Sequence, residues 1–205
     1  MVAAPGMALC APAPRLAQPL DGAKNAVAET NLGDLVADAM RAAVDADFAL
    51  VQASALQPAT IPAGDLEEDD IRAMLVFAAD TITVLQLGGA HLTEALERSL
   101  SMLPYPNKGF LQVSGLKVRF DPEAPAGSRV QSVVVATTNA PLDSAKTYRV
   151  AVPESLAKGA LGYFRVFNSA PRDRSDITLS QALAQFAAAN SPISLRVEGR
   201  IRPTQ

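Results

Sequence analysis

Alternating apolar and charged residues mark the clearest strand of the chain, in the stretch 109–122. The apolar side chains at 116, 118 and 120 are separated by basic ones at 117 and 119, which is typical of a half-buried antiparallel strand. Upstream, Leu111 and Val113 have the opposite parity, so the apolar face changes side across Ser114-Gly115. A glycine at such a change predicts a bulge or bend. Asp121-Pro122 ends the strand, because proline cannot donate to a ladder.

Three stretches have the 3.6-residue periodicity of amphipathic helices, and each carries a start or stop signal. The first runs over 32–43 and can be capped by Thr30 or Asn31. The second covers 92–103 and is ended by the prolines that follow it. The third covers 179–187, where Thr178 and Gln181 have the spacing of a capping box.

Further strands are predicted between these helices. The runs 48–51, 81–87 and 128–135 are rich in β-formers, whereas 148–152 and 193–197 alternate between apolar and polar residues. Strands that alternate with helices but also form hairpin-like pairs favour the α+β class, with a mixed sheet and flanking helices. We expect one such domain over residues 17–205, preceded by an Ala/Pro-rich segment, 1–16, that is either a leader or an edge strand.

Composition narrows the function classes. The net charge of −3 argues against a nucleic-acid-binding surface, which would need a basic face. No apolar run approaches the ~20 residues of a membrane-spanning helix. The single cysteine, Cys10, excludes an intrachain disulfide. Residues 1–16 lack the positive start of a signal peptide, so the segment itself does not predict export.

Five stretches together resemble one family in order and spacing. They are ETNLGDLVADAM, GGAHLTEALERSL, GFLQVSGLKVRFDPEAPAGSRV, KTYRVAV and NSPISLRVEGRI. The chain from about Ala17 to Ile201 is similar to the C-terminal domain of the bacterial 5'-nucleotidase and UDP-sugar hydrolase family. The resemblance implies a domain that holds the nucleotide, while a separate N-terminal metallophosphoesterase domain with two metals performs the hydrolysis. It also implies a periplasmic or extracellular location.

A catalytic metal centre is not expected in this chain. A two-metal phosphoesterase needs several His, Asp and Asn ligands, but the only histidine is His91, which we expect on the surface in the first turn of a helix. No serine lies in a nucleophile motif such as G-x-S-x-G. We therefore expect no catalytic residues, no metal and no cofactor.

The glycine-rich turn by which the family binds phosphate is altered. The NGGGIR-like motif of the resemblance corresponds to Gln52-Ala-Ser-Ala-Leu-Gln57, so Gln57 stands in the position of the arginine. A neutral amide cannot make the two-pronged, charge-assisted contact of a guanidinium. The resemblance places Gln57 at the ligand, and its chemistry predicts weakened phosphate binding.

Two aromatic residues are the candidates for stacking on a base. The family's PFGNT-like motif corresponds to Val76–Thr81 with one residue inserted, so that Phe77 either stacks on a ligand or turns into the core; Asp80 lies in the same turn. The family's GGDGY-like turn corresponds to 159–163 and ends in Tyr163, with Leu161 in place of the acidic residue. Two facing rings can hold a flat ligand between them. Ordinary packing beside Phe164 and Phe167 is the alternative for Tyr163.

We therefore interpret the sequence as a nucleotide-binding type of domain whose site has degenerated. It either binds a nucleoside or nucleotide without catalysis, or serves as a scaffold. The alternative is a substrate-binding component that is completed by a separate metallophosphoesterase chain.

Overall fold

The computed structural model describes residues 13–204. Most of the segment 1–16, including Cys10, therefore lies outside the described residues. The strands are β1 (Arg15–Leu16), β2 (Leu20–Asp21), β3 (Phe48–Gln52), β4 (Thr60–Ile61), β5 (Gly64–Asp65), β6 (Thr81–Gly88), β7 (Leu111–Ser114), β8 (Leu116–Phe120), β9 (Val130–Val135), β10 (Thr147–Pro153), β11 (Arg172–Thr178) and β12 (Ile201–Pro203). The helices are α1 (Asn31–Ala43), α2 (Glu68–Ala73), α3 (Gly89–Leu100), α4 (Glu154–Ala157), α5 (Phe164–Phe167) and α6 (Leu179–Ala189).

A five-stranded mixed sheet forms the centre, in the order β11-β6-β10-β3-β7. β10 and β3 run parallel, whereas the other neighbouring strands are antiparallel. A second sheet has the order β12-β8-β9, and two short pairs, β1-β5 and β2-β4, lie beside them. The expected α+β architecture with a mixed sheet and flanking helices is confirmed.

The central strand β3 is buried on both faces. Ala49 and Val51 pack into a cluster with α1, α2 and α6, while Phe48 and Leu50 pack into a cluster with α3 on the opposite face. All five residues of β3 are buried, in agreement with its continuous apolar run. The helices thus cover both sides of the sheet.

The change of parity at Ser114-Gly115 is a bend between the two sheets. β7 belongs to the five-stranded sheet and β8 to the three-stranded one. Gly115 has φ +82°, and a Cβ atom there would stand 2.6 Å from the carbonyl oxygen of Asp47. Glycine is required because this backbone is left-handed and closely packed.

The predicted helix starts are confirmed. Thr30 caps α1 by accepting from the backbone N–H of Gly33, which identifies it rather than Asn31 as the cap. Thr178 and Gln181 form the capping box of α6. These contacts satisfy backbone donors that the first turn of a helix leaves without partners.

The closing strand predicted over 193–197 is wrong. Only Ile193 makes a single bridge, to Leu16, and the last strand is β12. Val197 is 57% exposed. The carboxylate of Glu29 accepts from the backbone N–H groups of Glu198 and Gly199, so a side chain takes the place of a strand partner there.

Arg200 holds the chain end against α1. Its guanidinium donates to both carboxylate oxygens of Asp38, at 2.7 and 2.8 Å, and lies 3.5 Å from Oδ1 of Asp34. Asp34 is fully buried, and neither of its carboxylate oxygens accepts a hydrogen bond in residues 13–204. Burial raises the pKa of Asp34 to about 9; Arg200 opposes this shift, while Glu29 and Asp38 add to it.

Candidate functional site

Phe77 lies on the surface, in the turn between α2 and β6. Its side chain is 55% exposed and that of the preceding Val76 is 42% exposed, so the ring is not part of the core. The backbone N–H of Asp80 donates to the carbonyl of Phe77 at 3.0 Å and closes the turn. An exposed large aromatic ring is available for contact with a ligand.

An apolar cleft lies beside this ring. Its volume is about 500 Å³, which is within the range of small-molecule sites. Its walls come from the segments around residues 23–26, 53–58, 76–77 and 106–108. The lining residues on which the argument depends are Asn25, Ser54, Leu56, Phe77, Pro106 and Lys108. We call this site the Phe77 cleft.

The altered phosphate turn forms one wall of the cleft, but several of its backbone amides already donate to other parts of the chain. The N–H of Ala53 donates to the carbonyl of Phe110 at 2.8 Å, and that of Ser54 to the carbonyl of Lys108 at 3.0 Å. The N–H of Gln57 donates to Met74 at 2.9 Å. Gln57 itself is half-buried and is not a lining residue of the cleft. These three amides of the altered turn are therefore not free to bind an anion.

Tyr163 is buried behind the cleft and does not line it. Its ring is 0% exposed and stacks on Phe167, with centroids 5.2 Å apart and an interplanar angle of 8°. Its hydroxyl donates to the carbonyl of Gly109 at 2.6 Å, and burial raises its pKa. The structure does not place Phe77 and Tyr163 as two exposed facing rings. A sandwich between them would require Tyr163 to leave the core.

Asp80 joins the Phe77 turn to the helices behind it. Its carboxylate accepts from the backbone N–H of Ser155 at 3.4 Å, and its carbonyl accepts from Leu179 at 2.9 Å. The hydroxyl of Ser155 in turn accepts from the side chain of Gln52 at 3.2 Å. These bonds fix the turn that carries Phe77, but they do not set the orientation of the Phe77 ring.

Two residues at or next to the cleft, Gln52 and Lys108, were not predicted as site residues from the sequence. Gln52 is 2% exposed, and its Oε1 has no hydrogen-bond partner in the described part of the chain. Its place at the start of the altered NGGGIR-like turn was a signal that could have identified it. Lys108 lines the cleft, but nothing in its local sequence signals that position.

Metal binding finds no support in the described residues. Between residues 13 and 204 there is no group of three or more His, Cys, Asp and Glu side chains that could hold an ion. His91 is exposed in the first turn of α3, as expected. Over the same residues, no helix has the length and apolar character needed to cross a bilayer.

Comparison with known proteins identifies the family. The sequence model of the 5'-nucleotidase C-terminal domain matches residues 11–169. A trifunctional nucleotide phosphoesterase of Bacillus subtilis is 31% identical over 194 residues, covering 89% of this chain and 13% of that protein. The crystal structure of a 5'-nucleotidase precursor from Thermus thermophilus superposes with a TM-score of 0.86 at 30% identity, covering 94% of this chain.

The similarity extends to more distant structures at the level of the fold. A putative 5'-nucleotidase from Staphylococcus aureus has a TM-score of 0.75 at 20% identity. The chain spans 39% of the Thermus protein and 40% of the Staphylococcus one, so it corresponds to one part of these proteins. The chain therefore belongs to the 5'-nucleotidase C-terminal domain family.

Proposed function

We propose that this domain binds the flat base of a nucleoside against Phe77, without catalysing its hydrolysis. The observation that carries the proposal is the exposed Phe77 ring, which borders an apolar cleft of about 500 Å³. A planar heteroaromatic ring can cover the exposed face of Phe77, while its edge reaches the polar groups of the cleft. Stacking of a base on an aromatic side chain contributes about 1–3 kcal/mol.

The other expected site residues take supporting roles in this proposal. Asp80 fixes the Phe77 turn through Ser155. Tyr163 holds the carbonyl of Gly109, next to the cleft residue Lys108, and so acts as a positioning residue. Gln57 contributes no charge at the ligand. A second stacking contact from Tyr163 stays a prediction, since it needs the ring to leave its packing on Phe167.

Titration calorimetry with adenosine tests the proposal. Wild type is expected to bind, and Phe77→Ala is expected to bind about 5- to 150-fold more weakly, because the stacking surface is removed. Ribose, which has no flat ring, is expected not to bind. The matched control is Phe164→Ala, because that ring is 57% exposed but does not line the cleft.

Two results would contradict the proposal. If Phe77→Ala binds adenosine as well as wild type does, the ring does not stack on the base. If Phe164→Ala loses binding while Phe77→Ala keeps it, the site lies at the Tyr163–Phe164 turn instead.

A second candidate function is the substrate-binding part of a nucleotide hydrolase. It is favoured by the names of the similar proteins, a nucleotide phosphoesterase and a 5'-nucleotidase, of which the chain spans 13% and 39%. The catalytic metals would then lie on a metallophosphoesterase domain or chain. Phosphate release from AMP with Mn²⁺ is expected to be absent for this domain alone and present after addition of the part of the Thermus protein that this chain does not cover. Release by the domain alone would contradict both candidate functions as stated.

A further inference from the structure

Lys108 is the one charged side chain among the described residues that line the Phe77 cleft. It is exposed, and it makes no salt bridge with any residue between 13 and 204. A single positive charge beside an aromatic ring favours a ligand that is both flat and anionic.

The backbone that carries Lys108 is fixed from both sides. Its own carbonyl accepts from the N–H of Ser54 at 3.0 Å, and the carbonyl of Gly109 accepts from the Tyr163 hydroxyl at 2.6 Å. The side chain of Asn107 accepts from the N–H of Gly109 at 2.9 Å and donates to the carbonyl of Ser99 at 2.8 Å. The backbone of Lys108 is therefore held in one place. Only its flexible side chain has to be ordered when an anion binds.

No other charged side chain competes for that role among the described residues that line the cleft. The amides of Ala53 and Ser54 are bonded to the 108–110 segment, and Gln57 is neutral and lies outside the lining. We propose that Lys108 binds the phosphate of a nucleoside monophosphate whose base stacks on Phe77. This assignment rests on the proposed function and adds the charge of the ligand to it. It also gives the domain a phosphate contact that does not depend on the altered turn.

The expected gain from this contact is modest. An ammonium is a compact, well hydrated point charge, and it lacks the two-pronged geometry of the arginine that Gln57 replaces. We expect AMP to bind about 3- to 10-fold more tightly than adenosine at low salt. The difference should shrink in about 0.5 M salt, because exposed charges are screened over a few ångströms there.

Titration calorimetry with AMP and adenosine, without added metal, tests the assignment. In Lys108→Gln the preference for AMP is expected to disappear, while adenosine binds as in wild type. In Lys108→Arg the preference is expected to persist or to grow. Lys117→Gln makes the same change of charge at a residue that lies outside the cleft and bonds Asn139, so it should keep the preference of wild type.

The outcomes separate the two proposals. If adenosine binds and depends on Phe77, but Lys108→Gln keeps the preference for AMP, the role of Lys108 is wrong and base binding stands. Equal affinity of wild type for AMP and adenosine leads to the same conclusion. If neither ligand binds at millimolar concentration, the proposed function fails, and the role of Lys108 fails with it.

Discussion

Replacing Asp34 by Asn should remove a pH dependence of the free energy of unfolding that arises from the buried carboxyl group of Asp34 beside Arg200. Asp34 is 0% exposed in the first turn of α1, and its oxygens accept no hydrogen bond within the described residues. Arg200 is already bonded to both oxygens of Asp38. Burial raises the pKa of Asp34 to about 9, so we expect its carboxyl group to be protonated in the folded protein at neutral pH.

The sign and the size of the effect follow from the difference between the folded and unfolded pKa. Because the folded value lies above the unfolded value of 3.8, the stabilisation is fully present below the unfolded pKa and is lost as the pH rises towards 9. Between about pH 6 and pH 8 the carboxyl group of Asp34 is ionised in the unfolded state and protonated in the folded state. The free energy of unfolding should then fall by up to about 1.4 kcal/mol per pH unit. Asn cannot ionise, so the variant does not lose this stability. Its free energy of unfolding should therefore rise relative to that of wild type by up to about 3 kcal/mol from pH 6 to pH 8.

Urea unfolding followed by circular dichroism at several pH values measures this difference. Asp38→Asn is the control, and it should be destabilised at every pH because the buried Arg200 loses the carboxylate that accepts two of its hydrogen bonds. Parallel pH profiles for wild type and Asp34→Asn would refute the reasoning. If the profiles were parallel and Asp34→Asn were less stable throughout, Asp34 would have to be ionised and paired with Arg200.

Two further predictions concern the stability of the fold. Gly115→Ala should lower the free energy of unfolding by more than Gly127→Ala does, because both glycines have positive φ but only Gly115 lies against a carbonyl, that of Asp47. Gly127→Ala should cost about 1–2 kcal/mol for its left-handed backbone alone, and equal losses in urea unfolding would disprove the steric argument. Tyr163→Phe should lower stability by about 1–2 kcal/mol, since the Gly109 carbonyl loses its donor. A melting temperature identical to that of wild type would show that this bond contributes nothing.

The positions of Phe77 and Tyr163 in the fold could not be predicted from local sequence patterns. The sequence left open whether Phe77 stacks on a ligand or packs in the core. It offered two roles for Tyr163, a stacking ring opposite Phe77 or ordinary packing beside Phe164 and Phe167. The structure exposes Phe77 and buries Tyr163, because the hydroxyl of Tyr163 finds a carbonyl 54 residues away and its ring finds Phe167. No local pattern reports a partner at that separation.

The strand at the edge of the central sheet was missed for a related reason. β11 reads RDRSDIT, a charged stretch without an apolar face, and it pairs only with β6 among the described strands. Charged residues suit an edge strand because they discourage pairing with another chain, but they also hide the strand from a search for alternating apolar residues. β11 is recognised as a strand only through its pairing with β6, which is distant in the sequence.

The sequence by itself determined the long helices α1, α3 and α6, the strands β3 and β6 to β10, the bend at Gly115 and the caps at Thr30 and Thr178. These features depend on atoms within a few residues of each other, so periodicity, parity and a hydroxyl at the right spacing are sufficient. Only the tertiary structure decided which ring faces solvent, that Glu29 binds the backbone at 198–201, and that Lys108 shares a cleft with Phe77. Each of these depends on segments far apart in the chain, which are brought together by burial of the two apolar clusters on either side of the sheet.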